Sequence, residues 1–168
     1  MNVCNKQEQD FFMSHLKPNH SVLEWGSGES TLEIAPKVKK LVSIEDNILW
    51  YKRLNPAIPA NTILECIPPN RLPSPDYDDG TYLDFRDYVD HPIKMKLPPF
   101  DIIFIDGRAR VSCAARCQYL AHKDTLIFIH DYNHPEPKWR RPEYYAAEKY
   151  LQRLDGVFTM WKFKVKCN

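Results

Sequence analysis

Short apolar runs recur along the chain, separated by segments with helical or turn character. Several runs are continuous rather than alternating, which is typical of strands covered on both faces. The runs occupy residues 21–25, 40–44, 62–67, 100–105, 125–129 and 157–163. The helical segments are 7–16, 30–38, 47–54, 110–120 and 142–154. This alternation predicts one α/β domain over residues 1–168, doubly wound, with a mostly parallel sheet and helices on both faces.

The charge balance argues against binding by bulk electrostatics. Lys and Arg total 23 and Asp and Glu total 22, so the net charge is +1 with neutral His. We therefore expect neither a nucleic-acid partner nor a membrane partner. The residues from His134 onward hold eight basic and four acidic side chains, a net of +4, and this end can meet an anionic small molecule.

The cysteines and the apolar runs indicate a cytoplasmic protein. Five cysteines form an odd set without the spacing of a disulfide framework, so we interpret them as reduced thiols. No apolar run approaches the ~18 residues that a membrane span requires. Cys113 and Cys117 lie four residues apart on a predicted helix, with His122 beyond. We predict buried thiols rather than a zinc site, because a fourth ligand is not evident.

A proline-rich segment interrupts the alternation after the third strand. Residues 56–99 hold nine of the 14 prolines, and residues 68–99 form a long excursion. The simplest interpretation is a disordered surface insert. However, aromatic side chains prefer to pack against other apolar groups. The excursion contains Tyr77, Tyr82, Phe85 and Tyr88. We therefore predict a lid or a wall of a binding site.

A glycine pair follows the first predicted strand, in the sequence VLEWGSGEST. Only five glycines occur in the chain, so the clustering is informative. Glycines let the chain turn sharply and let a ligand approach the backbone N–H groups, and the helix that follows offers unpaired donors and a positive dipole. Any strand-to-helix turn can use such a pair, but we predict a ligand cradle. Its predicted cofactor-binding residues are Glu24, Trp25, Gly26, Ser27, Gly28, Ser30 and Thr31.

A second feature supports a nucleoside ligand. The second predicted strand ends at Ile44 and is followed by Glu45 and Asp46. A carboxylate at this position can accept hydrogen bonds from both ribose hydroxyls. A dinucleotide fold would require a third glycine where this chain has Thr31, which disfavours an NAD-dependent oxidoreductase.

The sequence VLEWGSGEST followed by VSIEDN resembles the class I S-adenosylmethionine (SAM)-dependent methyltransferases. The first motif of that family is an acid two residues before the first glycine, here Glu24. The resemblance, which extends over residues 21–132, implies that this acid and the turn hold the methionine end of SAM. It also implies that the acid after the second strand, here Glu45, holds the ribose.

The resemblance further implies a sixth strand and an antiparallel seventh, joined by a hairpin. After Leu154, residues 156–166 suffice for only one good strand. We therefore expect a C-terminal strand pair that is truncated, or a sheet edge that a partner chain completes in a homodimer.

Polar residues follow the fourth and fifth predicted strands, where ligands bind in open α/β sheets. Asp106 and Gly107, which follow the fourth strand, can also bind the cofactor. A histidine there can remove a proton from a hydroxyl, and an arginine can meet an anionic substrate. The alternative is a turn with a helix-capping Asp and surface arginines. The predicted catalytic residues are Asp106, Arg108, His130, Asp131 and Tyr132.

Asp106 and Asp131 on successive strand ends look like the metal-dependent O-methyltransferases of the catechol type. That group places Asn directly after the second Asp, whereas here Tyr132 intervenes before Asn133. We therefore predict no metal site.

The resemblance favours a SAM-dependent O-methyltransferase acting on a small molecule. The enzymes that methylate amino groups of nucleic-acid bases carry an N/D-P-P-Y-like sequence after the fourth strand, which this chain lacks. Trp139, Arg140 and Arg141 follow the loop after the fifth strand and can line the acceptor side. The alternatives are a non-catalytic cofactor-binding module and, less favoured, an oxidoreductase.

Overall fold

The computed structural model describes residues 5–74 and 79–166 and contains one seven-stranded sheet. The strands are β1 (Ser21–Trp25), β2 (Lys40–Glu45), β3 (Thr62–Cys66), β4 (Phe100–Ile105), β5 (Ala121–Ile129), β6 (Leu151–Val157) and β7 (Met160–Val165). The α-helices are α1 (Lys6–Met13), α2 (Glu29–Ile34), α3 (Ile48–Leu54), α4 (Arg86–Lys94) and α5 (Arg110–Arg116). The strand order is β3-β2-β1-β4-β5-β7-β6, with β7 antiparallel to both of its neighbours.

The order of the strands reverses between β1 and β4. Both strands run parallel to each other, as do β2 beside β1 and β5 beside β4, so their carboxyl ends share one edge of the sheet. At this edge the N–H of Gly26 donates to the carbonyl of Ile44, and the N–H of Asp106 donates to the carbonyl of Trp25, both at 2.9 Å. Ligands of doubly wound folds bind at such a reversal.

Alternate residues of the central strands pack into two separate cores, one on each face of the sheet. In β4, Phe104 belongs to the cluster that α1 covers, whereas Ile103 and Ile105 belong to the cluster that contains α4 and α5. Both clusters consist of side chains with almost no exposed surface. The continuous apolar runs therefore predicted strands covered on both faces, and the structure confirms the doubly wound sheet.

The prediction of a truncated C-terminal strand pair is wrong. The sequence assigned residues 142–154 to a helix, but a 3-10 segment over Pro142–Lys149 ends before Leu151, which begins β6. Tyr144 and Ala147 are three residues apart, a spacing that a 3-10 segment brings to one side as well as an α-helix does. The chain itself supplies the hairpin. No partner chain is needed to complete the sheet edge, which was the reason for suggesting a homodimer.

The proline-rich excursion is ordered in its described part, as its aromatic residues predicted. Phe85 and Tyr88 lie in the core with at most 2% of their surface exposed, and Tyr88 belongs to α4. A Cβ on Gly107 would lie 2.0 Å from the Tyr88 hydroxyl, so the excursion packs behind the turn after β4. Neither of the two cavities described below has a lining residue from the described part of residues 68–99, and the lid or site wall stays a prediction. Tyr77 lies outside the described residues. Over the described part of the chain, no helix has the length and apolar character needed to cross a membrane.

Candidate active site

The two glycines of the turn after β1 have different structural requirements. Gly26 has φ +93°, and a Cβ there would lie 2.4 Å from the backbone N of Gly107. The turns after β1 and β4 therefore touch through their backbones, and only glycine fits at position 26. Gly28 has φ −166°, which any residue adopts, and the nearest atoms to a Cβ there are 3.8 Å away. Gly28 is thus free of internal contacts that would require a glycine.

Glu24 lies beneath this turn and is completely buried. Its carboxylate accepts hydrogen bonds from Ser30 Oγ and Thr31 Oγ1 at 2.6 Å and from Ser43 Oγ at 2.5 Å. Burial raises the pKa of Glu24 to about 7, although these hydroxyl donors act in the opposite direction. Thr31 Oγ1 also accepts from the N–H of Gly28 at 2.9 Å. Glu24 therefore fastens the start of α2 to the turn and does not itself face an open space.

Glu45 joins the end of β2 to the same turn. Its two carboxylate oxygens accept from the N–H of Ser27 at 2.9 Å and the N–H of Asn47 at 2.8 Å. Burial raises the pKa of Glu45 to about 7. A carboxylate offers about four acceptor positions, and these two hydrogen bonds occupy two of them. Only 4% of the surface of Glu45 is exposed. Asp46 is half-buried beside it; burial raises the pKa of Asp46, and the charge of Arg108 opposes that shift.

A cavity of about 290 Å³ opens beside the turn. It is lined by Gln9, Phe12, Met13, Gly26, Ser27, Gly28, Glu29, Ser30, Glu33, Trp50, Arg53, Phe104, Asp106, Arg110 and Met160. We call it the turn cavity. Its volume lies near the lower end of the ~300–1,000 Å³ range of ligand sites.

The structure brings five of the predicted site residues to the turn cavity. They are Gly26, Ser27, Gly28, Ser30 and Asp106. Glu24, Thr31 and Glu45 lie in the layer beneath, where they hold the turn in place through the bonds described above.

Two other predicted residues have side chains directed elsewhere. The indole of Trp25 is buried on the opposite side of the sheet and donates to the carbonyl of Tyr88 at 3.2 Å. Tyr132 is also buried, and its hydroxyl donates to Glu148 at 2.6 Å. The alternation of side chains along a strand explains Trp25, because Glu24 and Trp25 must face opposite sides.

Sequence reasoning missed the contributions of α1 and α3 to the turn cavity. Gln9, Phe12 and Met13 lie on one side of α1 at helical spacing, a pattern that by itself indicates only a core-facing helix. On α3, the indole N–H of Trp50 donates to the carbonyl of Ser27 at 2.7 Å. The guanidinium of Arg53 lies over the Trp50 ring at 4.8 Å and places a cation at the cavity.

Arg110, the first residue of α5, organises the strand ends behind the turn cavity. Only 11% of its side chain is exposed. It donates to the Asp131 carboxylate at 3.0 Å, to the backbone carbonyl of Asp106 at 3.1 Å and to that of Gly107 at 3.0 Å. Burial alone would lower the pKa of Arg110, but the charges of Asp106 and its neighbours raise it. The guanidinium is therefore a permanent cation between the two acids. Sequence reasoning assigned Arg110 no role beyond that of a surface arginine.

One ligand atom each from Asp106, His130 and Asp131 lies within 4.8 Å of the others, a donor set that can hold a metal ion. Arg110 already contacts both carboxylates, with Asp106 Oδ1 at 3.5 Å and Asp131 Oδ2 at 3.0 Å. A divalent ion would have to share these acids with the guanidinium. Arg108 is half-buried, and its charge acts on Asp46 and Asp79.

His130 is buried between two carboxylates. Its Nδ1 is 2.8 Å from Asp106 Oδ1, and its Nε2 is 3.6 Å from Glu8 Oε2. Glu8 lies in α1 and also accepts from the N–H of Thr159 at 2.7 Å. Burial alone would raise the pKa of Glu8, but the nearby His130 ring and the hydrogen bonds from Thr159 lower it to about 2. His130 is linked to the turn cavity through Asp106, and its carbonyl accepts from Arg110, which also lines that cavity.

A second, more open cavity of about 300 Å³ lies beside the loop after β5. It is lined by Asp131, His134, Trp139 and Arg141, and we call it the β5-loop cavity. Trp139 and Arg141 were expected on the acceptor side; Arg140 instead donates to backbone carbonyls of the loop.

The cysteines with zinc-like spacing are buried free thiols, as predicted. Burial raises the pKa of both Cys113 and Cys117 well above the usual thiol value. His122 instead contacts Asp101 at 3.2 Å.

Comparison with family profiles gives no match, and neither does comparison with curated protein sequences. Solved structures do match. A methyltransferase-like protein from Silicibacter pomeroyi has a TM-score of 0.70 and 21% identity, covering 99% of this chain and 88% of that one. The tRNA (m1A58) methyltransferase TrmI from Aquifex aeolicus has a TM-score of 0.65 and 12% identity, covering 99% and 72%.

The methyltransferase MycE of the mycinamycin biosynthetic pathway, solved with Mg, S-adenosylhomocysteine (SAH) and mycinamycin VI, has a TM-score of 0.54 and 16% identity. The alignment covers 95% of this chain and 45% of MycE. At these identities the likeness concerns the fold. The chain has the Rossmann-like fold of the class I SAM-dependent methyltransferases.

Proposed function

We propose that this protein is a SAM-dependent methyltransferase that methylates an oxygen atom of a small molecule. The observation that carries the proposal is the contact between Glu45 Oε2 and the N–H of Ser27, at 2.9 Å. It joins the carboxylate at the end of β2 to the glycine turn after β1. A nucleoside that binds one of these features therefore meets the other.

The residues at the turn fit the cofactor. Ser27 and Gly28 line the turn cavity, and the space around a Cβ at Gly28 is open, which leaves room for a ligand against the backbone. Glu45 lies beneath the turn with 4% of its surface exposed, and its two remaining acceptor positions would take the ribose hydroxyls where the ligand contacts the turn. Arg53 at the cavity matches a carboxylate such as that of the methionine portion. Bound SAM would supply a methyl group activated by its sulfonium.

Thr31 supports this cofactor over a dinucleotide. Its hydroxyl donates to Glu24 and accepts from the N–H of Gly28, so the third glycine position of a dinucleotide fold is occupied by a hydrogen-bonded side chain. A pyrophosphate needs the backbone N–H groups of this turn, and the Gly28 N–H is already used.

The acids of the strand ends can serve an oxygen nucleophile. The acceptor oxygen forms the bond to the methyl carbon while the carbon–sulfur bond breaks with its electrons remaining on sulfur. The hydroxyl proton must pass to a base. Asp106 lines the turn cavity and Asp131 is 41% exposed, and both lie against Arg110, which holds them in place. The protein's main contribution is alignment.

Calorimetry tests the proposal. We expect SAM and SAH to bind and NAD to give no heat of binding. Binding of NAD without SAH would favour an oxidoreductase. A protein that binds SAM and transfers its methyl group to no hydroxyl compound in a broad acceptor panel would instead be a cofactor-binding module. The cytoplasmic location stays a prediction.

A further inference from the structure

The β5-loop cavity combines an exposed aromatic ring with basic side chains. Trp139 is 62% exposed although its side chain is large and mostly apolar. Arg141 and His134 line the same cavity. An indole face and a guanidinium together bind flat molecules that carry a negative group, because the ring stacks and the guanidinium pairs with the anion.

The loop that carries these residues is fixed by its own hydrogen bonds. Arg140 Nε donates to the carbonyl of His134 at 2.9 Å, and Arg140 Nη2 donates to that of Pro135 at 3.1 Å. His134 Nδ1 accepts from the N–H of Glu136 at 3.0 Å. A neutral imidazole whose Nδ1 accepts carries its proton on Nε2. His134 therefore has a donor to offer to an anion.

One group of charges links the β5-loop cavity to the turn cavity. Asp131 lines the first, whereas Asp106 and Arg110 line the second. Arg110 contacts both carboxylates, at 3.5 Å from Asp106 and 3.0 Å from Asp131, so one guanidinium links the residues that line the two cavities. An acceptor in the β5-loop cavity is therefore placed next to the strand ends that face the proposed cofactor.

We propose that the β5-loop cavity binds the methyl acceptor, and that the acceptor is an aromatic anion, an aryl carboxylate or aryl phosphate with a hydroxyl group. This inference rests on the proposed function. The ring stacks on Trp139 and the anionic group pairs with Arg141 and His134. Asp131 would repel an anion, so the anionic group lies away from it and the hydroxyl lies toward it. The hydroxyl proton passes to the Asp131 carboxylate as the new oxygen–carbon bond forms.

Calorimetry on the SAH-saturated full chain tests the two-part recognition. The probes are phenyl phosphate and benzoate, compared with inorganic phosphate, which lacks the ring, and phenol, which lacks the charge. We expect the two aromatic anions to bind at least about tenfold more tightly than either partial probe. Equal or weaker binding of the aromatic anions, or no binding, would overturn the inference.

Two substitutions test whether phenyl phosphate binds in the β5-loop cavity. Trp139→Ala and Arg141→Gln should each weaken phenyl phosphate about tenfold. The controls are Tyr119→Ala, which removes another exposed ring, and Arg86→Gln, which removes another exposed arginine. Unchanged affinity in both cavity variants, or equal losses in the controls, would place the anion elsewhere and refute the inference.

SAH affinity is measured in the same variants and should not change. A wild type that binds no SAH would contradict the proposed function, whereas SAH binding without anion binding contradicts only this inference.

Discussion

Nδ1 of His130 lies 2.8 Å from Oδ1 of Asp106, and Asp106 in turn lines the turn cavity. The other ring nitrogen of His130 faces Glu8 of α1, at 3.6 Å. The imidazole is buried, and the same Nδ1 lies 3.6 Å from Asp131, so it acts on a substrate through these carboxylates rather than by direct contact. The first helix is therefore linked to the strand ends that carry the proposed chemistry.

The Glu8 carboxylate should stabilise the fold in a manner that depends on pH. Its pKa is about 2 in the folded protein, below the 4.5 of an unperturbed glutamate. The stabilisation is therefore complete above about pH 4.5 and is lost as the pH falls through 2. We expect Glu8→Gln to lower the free energy of unfolding at pH 7 by up to about 3 kcal/mol. Urea denaturation should show the difference from wild type shrinking below pH 4.5, and a difference independent of pH would contradict this role.

Glu24 and Glu45 should have the opposite effect. Burial raises both pKa values to about 7 in the folded protein, so the fold binds more protons than the unfolded chain between about pH 4.5 and 7. Stability from these groups is therefore complete at the acid end of that range and is lost as the pH rises through 7.

The matching variant is Glu24→Gln, which cannot ionise. Wild type should lose about 1–3 kcal/mol more of its free energy of unfolding than the variant as the pH rises from 5 to 8. The melting temperature of the variant should therefore depend less on pH. Thermal denaturation at both pH values measures this. An equal slope in the variant would mean that Glu24 is ionised throughout.

The two glycines of the turn should separate folding from binding. Gly26→Ala forces a Cβ within 2.4 Å of the Gly107 backbone at φ +93°, so we expect a loss of at least about 2 kcal/mol of stability. Gly28→Ala meets no atom closer than 3.8 Å, so its stability should match wild type within about 0.5 kcal/mol. The added methyl of Gly28→Ala occupies space in the turn cavity, and SAH affinity should fall. Wild-type SAH affinity in Gly28→Ala would argue against ligand contact with this turn.

Arg110 should matter more than any surface arginine. Its removal leaves the Asp106 and Asp131 carboxylates facing each other without the cation between them. We expect Arg110→Met to cost up to about 3 kcal/mol, because the mostly buried Asp106 loses its partner whereas Asp131 is 41% exposed and screened by water. Arg86→Gln on the surface should cost less than about 1 kcal/mol. Urea denaturation of both variants measures the two losses in free energy of unfolding. A loss in Arg110→Met no larger than that in Arg86→Gln would mean that water or a metal ion replaces the guanidinium.

The central strands and the glycine turn could be predicted because their signals are local. The continuous runs of β1, β2 and β4 need cover on both faces, and Gly26 needs a positive φ. The contacts of α1 with the site could not be predicted. Glu8 and Thr159 are 151 residues apart, and their hydrogen bond depends on the assembly of the whole sheet. Spacing likewise did not distinguish the 3-10 segment before Leu151 from a longer helix.

The most direct test of the account is the affinity of SAH for wild type and Glu45→Ala. Because Glu45 ends β2 and contacts the turn at Ser27, its loss should weaken SAH by about 1–3 kcal/mol, the scale for unpaired buried polar groups. Glu65→Ala on β3 removes a carboxylate from the neighbouring strand and serves as the control, with circular dichroism to verify that both variants are folded. We predict a loss in Glu45→Ala alone. Equal SAH affinity in folded Glu45→Ala and wild type would contradict the convergence of β2 and the glycine turn on one adenosine-containing ligand.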